Sequence, residues 1–113
     1  MGFSLWVEVN HPDGYTSVFD VVDGQTYNLG SMWRACGIVP ADERMEWLQG
    51  QNCLDLQAKA MSALADYWAN PRKYDALEPD NGWGDAEGWY ERGLLPFALA
   101  VHRHPTGIIN GSF

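Results

Sequence analysis

The densest set of chemically capable side chains lies between Pro79 and Pro96, where the chain reads PDNGWGDAEGWYERGLLP. Gly82, Gly84, Gly88 and Gly93 are set among Trp83, Trp89 and Tyr90, with Asp80, Asp85, Glu87, Glu91 and Arg92 interleaved. Glycine reaches backbone conformations closed to other residues, and a glycine loop entering a helix offers free backbone N–H groups that can hold an anion. Flat tryptophan faces can stack a base. The loop has neither the spacing of a dinucleotide fingerprint nor the lysine of a P-loop. Three readings are open: a nucleotide or other small-ligand site, packing of Trp at a loop-to-helix junction, and a protein contact.

Other constellations invite sharper chemistry. Glu87 and Glu91 share a helical face, and with Asp80 and Asp85 they form a set of carboxylates suited to general acid and base work if their pKa values separate. The plainer reading is a solvated face, with Asp85 capping the helix and Glu91 beside Arg92. An enzyme built on the carboxylates at 80–91 ranks third, because no nucleophile, metal site or phosphate loop accompanies them. Cys36 and a remote histidine suggest a nucleophilic pair, yet Cys36 falls on an apolar stripe and reads as a buried structural thiol. His102-x-His104, with His11 elsewhere, suggests a metal. Residues two apart on a helix point about 200° apart, so the pair reads as cations at a helix C-terminus. No catalytic residue, metal or cofactor is expected.

Composition sets the frame for these groups. A chain of 113 residues with 46% apolar content reads as one domain with an adequate core. Six Trp among 13% aromatic residues predict several half-exposed tryptophans, since Trp is seldom wholly buried in a small core. The net charge of −8 argues against duplex nucleic acid as a direct ligand. It fits a solvated surface or, more sharply, an acidic face that docks on a basic protein. Two cysteines without a C-x-x-C, no secretory leader and no apolar run of membrane-spanning length point to a cytoplasmic chain with reduced thiols and no membrane contact.

The elements that must position the candidate groups read as α+β. Phe3, Leu5, Val7 and Val9 alternate with Ser4, Trp6, Glu8 and Asn10, His11-Pro12-Asp13-Gly14 turns the chain, and Tyr15 to Val22 returns, giving an N-terminal antiparallel hairpin. Asp23-Gly24 signals a second turn that folds Gln25 to Tyr27 back as a short third strand. Asn28 is suited to cap a two-turn helix through Leu29, Met32, Trp33 and Cys36, ended by Gly37. Pro40 opens a second short helix through Met45 and Leu48 to near Gly50. Asn52 with Asp55 caps a long helix whose apolar stripe is Leu54, Ala58, Met61, Leu64, Ala65 and Trp68, with Gln57, Lys59, Ser62 and Asp66 facing out. Asn70-Pro71 stops it. A polar connector leads to a second long helix from Asp85 to about His102, which Pro96 is expected to kink or break. Thr106 to Phe113 forms either an edge strand or a loose tail. The expected fold is a small antiparallel sheet packed by two long and one or two short helices.

Asn28-Leu29-Gly30-Ser31-Met32, Asn70-Pro71 with Tyr74, and Pro79-Asp80-Asn81-Gly82-Trp83-Gly84 together resemble a group of small, mostly uncharacterised proteins of phages, prophages and bacterial chromosomes. These share an N-terminal hairpin, an N-L-x-x-M helix start and an N-G-W-G loop before the last helix. The likeness covers about residues 26 to 100, with Gly88, Gly93 and Pro96 outside the pattern. It implies a phage or mobile-element accessory protein acting in the host cytoplasm, of a kind that often disarms host defence, with Asn28, Asn81, Gly82, Trp83 and Gly84 as site candidates.

Combined with the residues themselves, the leading expectation is a non-catalytic protein that captures a small nucleotide-like molecule between the Asn81 to Gly84 loop and the Asn28 helix start. Trp83 and Trp89 would stack, Asn28 and Asn81 would hydrogen-bond, Arg34 or Arg92 would meet negative charge, and Trp33 completes the candidate set. The alternative is an acidic inhibitor of a basic, nucleic-acid-binding host defence protein, for example of CRISPR type. A homo-oligomer is left open.

Overall fold

The computed structural model describes residues 2–113. Its fold is α+β, with a three-stranded antiparallel sheet in the order β2-β1-β3 packed by helices. Strand β1 (Gly2–Asn10) is central, and its alternation works as the sequence implies, with Phe3, Leu5 and Val7 buried. The tight turn at Gly14 has φ +87° and closes through the Gly14 N–H donating to the His11 carbonyl at 3.0 Å.

Strand β2 (Thr16–Thr26) runs straight through the expected second turn. Asp23-Gly24 forms a bulge instead: β2 carries one extra residue between the Phe3–Gln25 and Leu5–Val22 pairs. Gly24 takes φ +63°, and its N–H donates to Ser4 Oγ at 3.0 Å, so the side chain of β1 replaces the missing ladder bond. The third strand is the C-terminal one, β3 (Ile108–Ser112), which pairs with the other edge of β1 through Val7–Ile109 and Leu5–Gly111.

Helix α1 (Gly30–Ala35) is preceded by a 3₁₀ turn over Tyr27–Leu29. Thr26, not Asn28, is the capping side chain, accepting from the Asn28 N–H at 3.3 Å. Gly37 at φ +86° follows the helix, as its position predicts. Pro40 heads only an isolated turn, and the second short helix reduces to a 3₁₀ turn at Met45–Leu48.

Helix α2 (Cys53–Ala69) is the longest element. Asn52 does not cap it with its side chain, which donates to Asp55 at 3.5 Å. The Cys53 N–H goes instead to the Gly107 carbonyl at 2.9 Å, so the strand-leading segment satisfies the helix start. The buried face is also not the expected one: Cys53, Leu56, Ala60, Ala63 and Leu64 point inward, whereas Leu54, Ala58, Met61, Ala65 and Trp68 are exposed. After Asn70, Pro71 opens a short helix α3 (Pro71–Asp75) where a plain connector was expected, and it buries Tyr74 completely.

The last helical segment begins as α4 (Ala86–Trp89), with Asp85 accepting from the Gly88 N–H at 2.6 Å as its sequence position predicts. It passes through a π turn at Tyr90–Leu94 into α5 (Leu95–Arg103), with right-handed helical dihedrals kept at Tyr90, Leu94 and Leu95. Pro96 therefore lies just past the start of a new α segment, where its missing N–H is tolerated because the wider π turn has already changed the bonding pattern. Gly93 is required there: a β-carbon would lie 2.7 Å from Gln25 Nε2 and 3.0 Å from the Trp33 ring.

The core is aromatic at its centre. Trp33 meets Trp89 and Phe97 edge-on at ring-centroid distances of 5.8 and 5.4 Å, and Tyr74 stacks on Trp89 at 5.1 Å. Trp33 Nε1 donates to the buried Gln25 Oε1 at 2.7 Å, which ties α1 to β2.

Candidate functional site

The Asn81 to Gly84 loop is held from three sides. The Asn81 side-chain oxygen accepts from the Trp83 N–H at 3.0 Å, an Asx turn that fixes the loop tip. Glu78 accepts from the Ala86 N–H at 2.8 Å and pins the exit into α4. Gly84, at φ +105°, lets the backbone come so close to Leu29 that a β-carbon would stand 2.9 Å from its methyl group. The glycine loop is thereby packed on the start of the Leu29-containing turn. The consequence is a presented aromatic: Trp83 is 68% exposed on a fixed backbone.

An open cleft of about 520 Å³ lies beside it, lined by Gly2, Gly24, Thr26, Tyr27, Asn28, Asn81 and Trp83. Trp83, Gly24 and Thr26 also line an adjoining cleft of about 220 Å³, with Gly84, Asp23 and Arg92 among its walls. On the other side Tyr27 is shared with a cleft of about 370 Å³ that holds Arg34, Arg44 and Glu46. Together they form a surface with two aromatic side chains, Trp83 and Tyr27, in the middle and arginines on both flanks. The Arg92 guanidinium lies over Gly88 beside the capping Asp85, and that of Arg34 folds back over Gly30, whose absent β-carbon would be 3.3 Å away. No ion pair of Arg34, Arg44 or Arg92 occurs among the described residues.

The structure brings Asn28, Asn81 and Trp83 to one cleft, and Gly84 and Arg92 to its neighbour. Arg34 reaches the third. Gly82, at φ +77°, shapes the loop tip without lining a cleft. Trp33 and Trp89 do not belong to this surface: both are 0% exposed and occupied by core contacts, so neither can stack on a ligand. Trp89 is instead the one buried polar side chain without a hydrogen-bond partner among the described residues, its indole set edge-on to the rings of Trp33 and Tyr67. Sequence reading missed Thr26, Tyr27 and Arg44. Tyr27 adjoins Asn28 and was legible as a neighbour of the helix start, whereas Arg44 sits in an aperiodic connector.

Asp85 is a helix cap and Glu78 a loop pin. His102 Nδ1 bonds the Ala98 carbonyl at 2.8 Å, while His104 stacks on Phe19 at 4.0 Å, so the two histidines turn to different partners. No cluster of three metal-capable side chains occurs among the described residues. Burial pushes the Cys36 thiol from 9.0 up to about 12, and its sulfur lies 3.2 Å from the Trp33 carbonyl. Asp66, expected to face out, clasps α2 to α3: it accepts from Lys73 at 2.7 Å, from Asn70 at 3.1 Å and from the Tyr74 hydroxyl. The Lys73 bond, then the Tyr74 bond, hold its carboxyl below the ordinary range.

Compared with protein-family models, with curated proteins and with solved structures, the chain matches none of them. Among the described residues no helix is long and apolar enough to cross a membrane.

Proposed function

We propose that this protein is a non-catalytic binder that captures a small, nucleotide-like molecule on the surface formed by the Asn81 to Gly84 loop and the Thr26 to Asn28 turn. The observation that carries the reading is Trp83: a large aromatic side chain 68% exposed on a backbone fixed by an Asx turn and by glycine packing. An aromatic face held at the wall of a cleft, with Tyr27 lining the same cleft, is a ready stacking platform. In this role Trp83 and Tyr27 offer stacking faces, Asn28 and the Asn81 amide nitrogen offer hydrogen bonds, and Arg34 with Arg44, or Arg92, meets negative charge. The convergence of Arg34 and Arg44 on one cleft offsets locally the repulsion that the net charge of −8 exerts on a phosphate. Sequestration by a phage or mobile-element accessory protein, directed against host defence, is the biological role implied by the sequence resemblance alone.

Native mass spectrometry of protein purified gently from bacteria tests the reading. A co-purifying mass of a few hundred daltons in the wild type, absent from Trp83→Ala at unchanged folding, is the expected result. Equal retention of that mass by Trp83→Ala overturns it. The competing reading, an acidic surface docked on a basic host protein, is favoured by the carboxylates, of which only Asp66 is ion-paired among the described residues. That interaction would lose on-rate as salt rises, and no small molecule would co-purify with the protein.

A further inference from the structure

Helix α2 carries two apolar faces, and the fold uses one. Cys53, Leu56, Ala60, Ala63 and Leu64 are buried against the body of the protein. The other face consists of Leu54 (60% exposed), Ala58, Met61 (52%), Ala65 and Trp68 (61%), all open to solvent. Their spacing alternates four and three residues along the whole helix, which is the seam of a coiled coil. Large residues occupy one seam position and alanine the other, without exception. Trp68 is pre-positioned, its Nε1 donating to the Tyr90 hydroxyl at 2.9 Å.

We propose that this face is a homodimer contact, in which α2 packs antiparallel on α2 of a second copy about a two-fold axis. The large-small alternation argues for self-pairing and for its direction. In an antiparallel pair the two seam positions face each other, so Leu54 meets Ala65 and Met61 meets Ala58 of the other copy, and only Trp68 passes beyond the last alanine layer. A parallel pair would stack Trp on Trp and Met on Met, then leave alanine on alanine, forcing alternately wide and narrow layers. The available area also suits a dimer. The 17-residue helix is about 26 Å long, and its seam with the flanking stems of Asp55 and Ser62 on two copies approaches roughly the 1,200 Å² at which specific interfaces begin. The net charge of −8 on each copy opposes association, so salt tightens this dimer by screening like charges. Docking of an acidic face on a basic partner would respond to salt in the opposite sense.

Sedimentation equilibrium decides the matter. The wild type is expected to dimerise at tens of micromolar and more tightly at higher salt. Met61→Lys should weaken the dimer by roughly a hundredfold or more, because the substitution enters a two-fold interface twice. Met61 is exposed, so the variant's melting temperature at low concentration should match the wild type. Orientation is read by a short bis-maleimide linker, with Cys36 and Cys53 buried and silent. The double variant Leu54→Cys/Trp68→Cys should cross-link between copies. Leu54→Cys alone should not, since antiparallel packing separates the two copies of that position by about 20 Å. A wild type that stays monomeric up to about 0.5 mM, where even weak specific contacts are populated, overturns the proposal, as does a Met61→Lys dimer of undiminished affinity. Cross-linking of Leu54→Cys alone overturns the antiparallel arrangement.

Discussion

Trp33, Trp83 and Trp89 are the same residue type within one short chain, yet two lie at 0% exposure and one at 68%. What separates them is their neighbours: Trp33 has Gln25 to accept its N–H and fills the space Gly93 opens, and Trp89 is enclosed by the rings of Trp33, Tyr67 and Tyr74 although its N–H finds no partner among the described residues. Local sequence marks Trp83 as different only through the flanking glycines, which leave no side chains to cover it. At this scale the thiols give a pH prediction. Burial raises Cys36 to about 12 and Cys53 to about 11 from an ordinary 9.0, and it raises Tyr74 further still, aided by its bond to Asp66. All three are held protonated by the fold. Their contribution is therefore fully present below about pH 9 and is lost as pH rises toward the folded values, because only the unfolded chain releases the protons. Urea midpoints should fall steeply above pH 9, and Cys36→Ala should remove up to about 1.4 kcal/mol per pH unit of that slope. A midpoint independent of pH between about 9 and 11 would contradict the burial of these groups.

Among the elements, the last helical segment shows how a local rule is overridden without being broken. Pro96 does disturb the helix, and the disturbance is absorbed one turn earlier by a π turn at Tyr90–Leu94. That turn places Gly93 against Gln25 and Trp33, so the widened backbone and the tight contact come together. Gly93→Ala gains helix propensity but drives a methyl into a filled space. It is expected to destabilise the fold by about 1–3 kcal/mol in urea unfolding, against the stabilisation of up to about 1 kcal/mol that propensity alone gives. The π turn was not legible in sequence, since Pro96 is equally compatible with a kink or a break. The bulge at Asp23-Gly24 is a similar case. Asp-Gly reads as a turn, but the Ser4 hydroxyl across the strand supplies a partner that keeps β2 going.

Over the whole molecule, the C-terminal strand closes the structure. Ile109 pairs with Val7 of the first strand, donates its N–H to the Gln51 carbonyl at 2.8 Å, and accepts from the Gly50 N–H at 2.8 Å. The chain end is thus fastened both to its beginning and to the entry of α2. Ile109 is fully buried, so Ile109→Ala should cost about 2–5 kcal/mol. Circular dichroism melts should show one cooperative transition at lower temperature; a melting temperature shifted by less than about 2 °C would mean that β3 contributes little.

The alternation of Phe3, Leu5 and Val7, the His11 to Gly14 turn, the Asn70-Pro71 stop and the Asp85 cap were determined by sequence alone. Each depends on backbone chemistry within a few residues. Tertiary structure decided which stripe of α2 is buried. Leu54, Met61 and Trp68 form a more hydrophobic seam than Cys53, Ala60 and Ala63, and periodicity favours the former. The choice falls to the latter because the small residues let α5 and the Gly107 to Ile109 segment approach closely, and in that orientation the Cys53 N–H donates to the Gly107 carbonyl. Tertiary structure likewise brought Asn28, Asn81 and Trp83 to one cleft across more than fifty residues of chain, through the contact between Gly84 and Leu29.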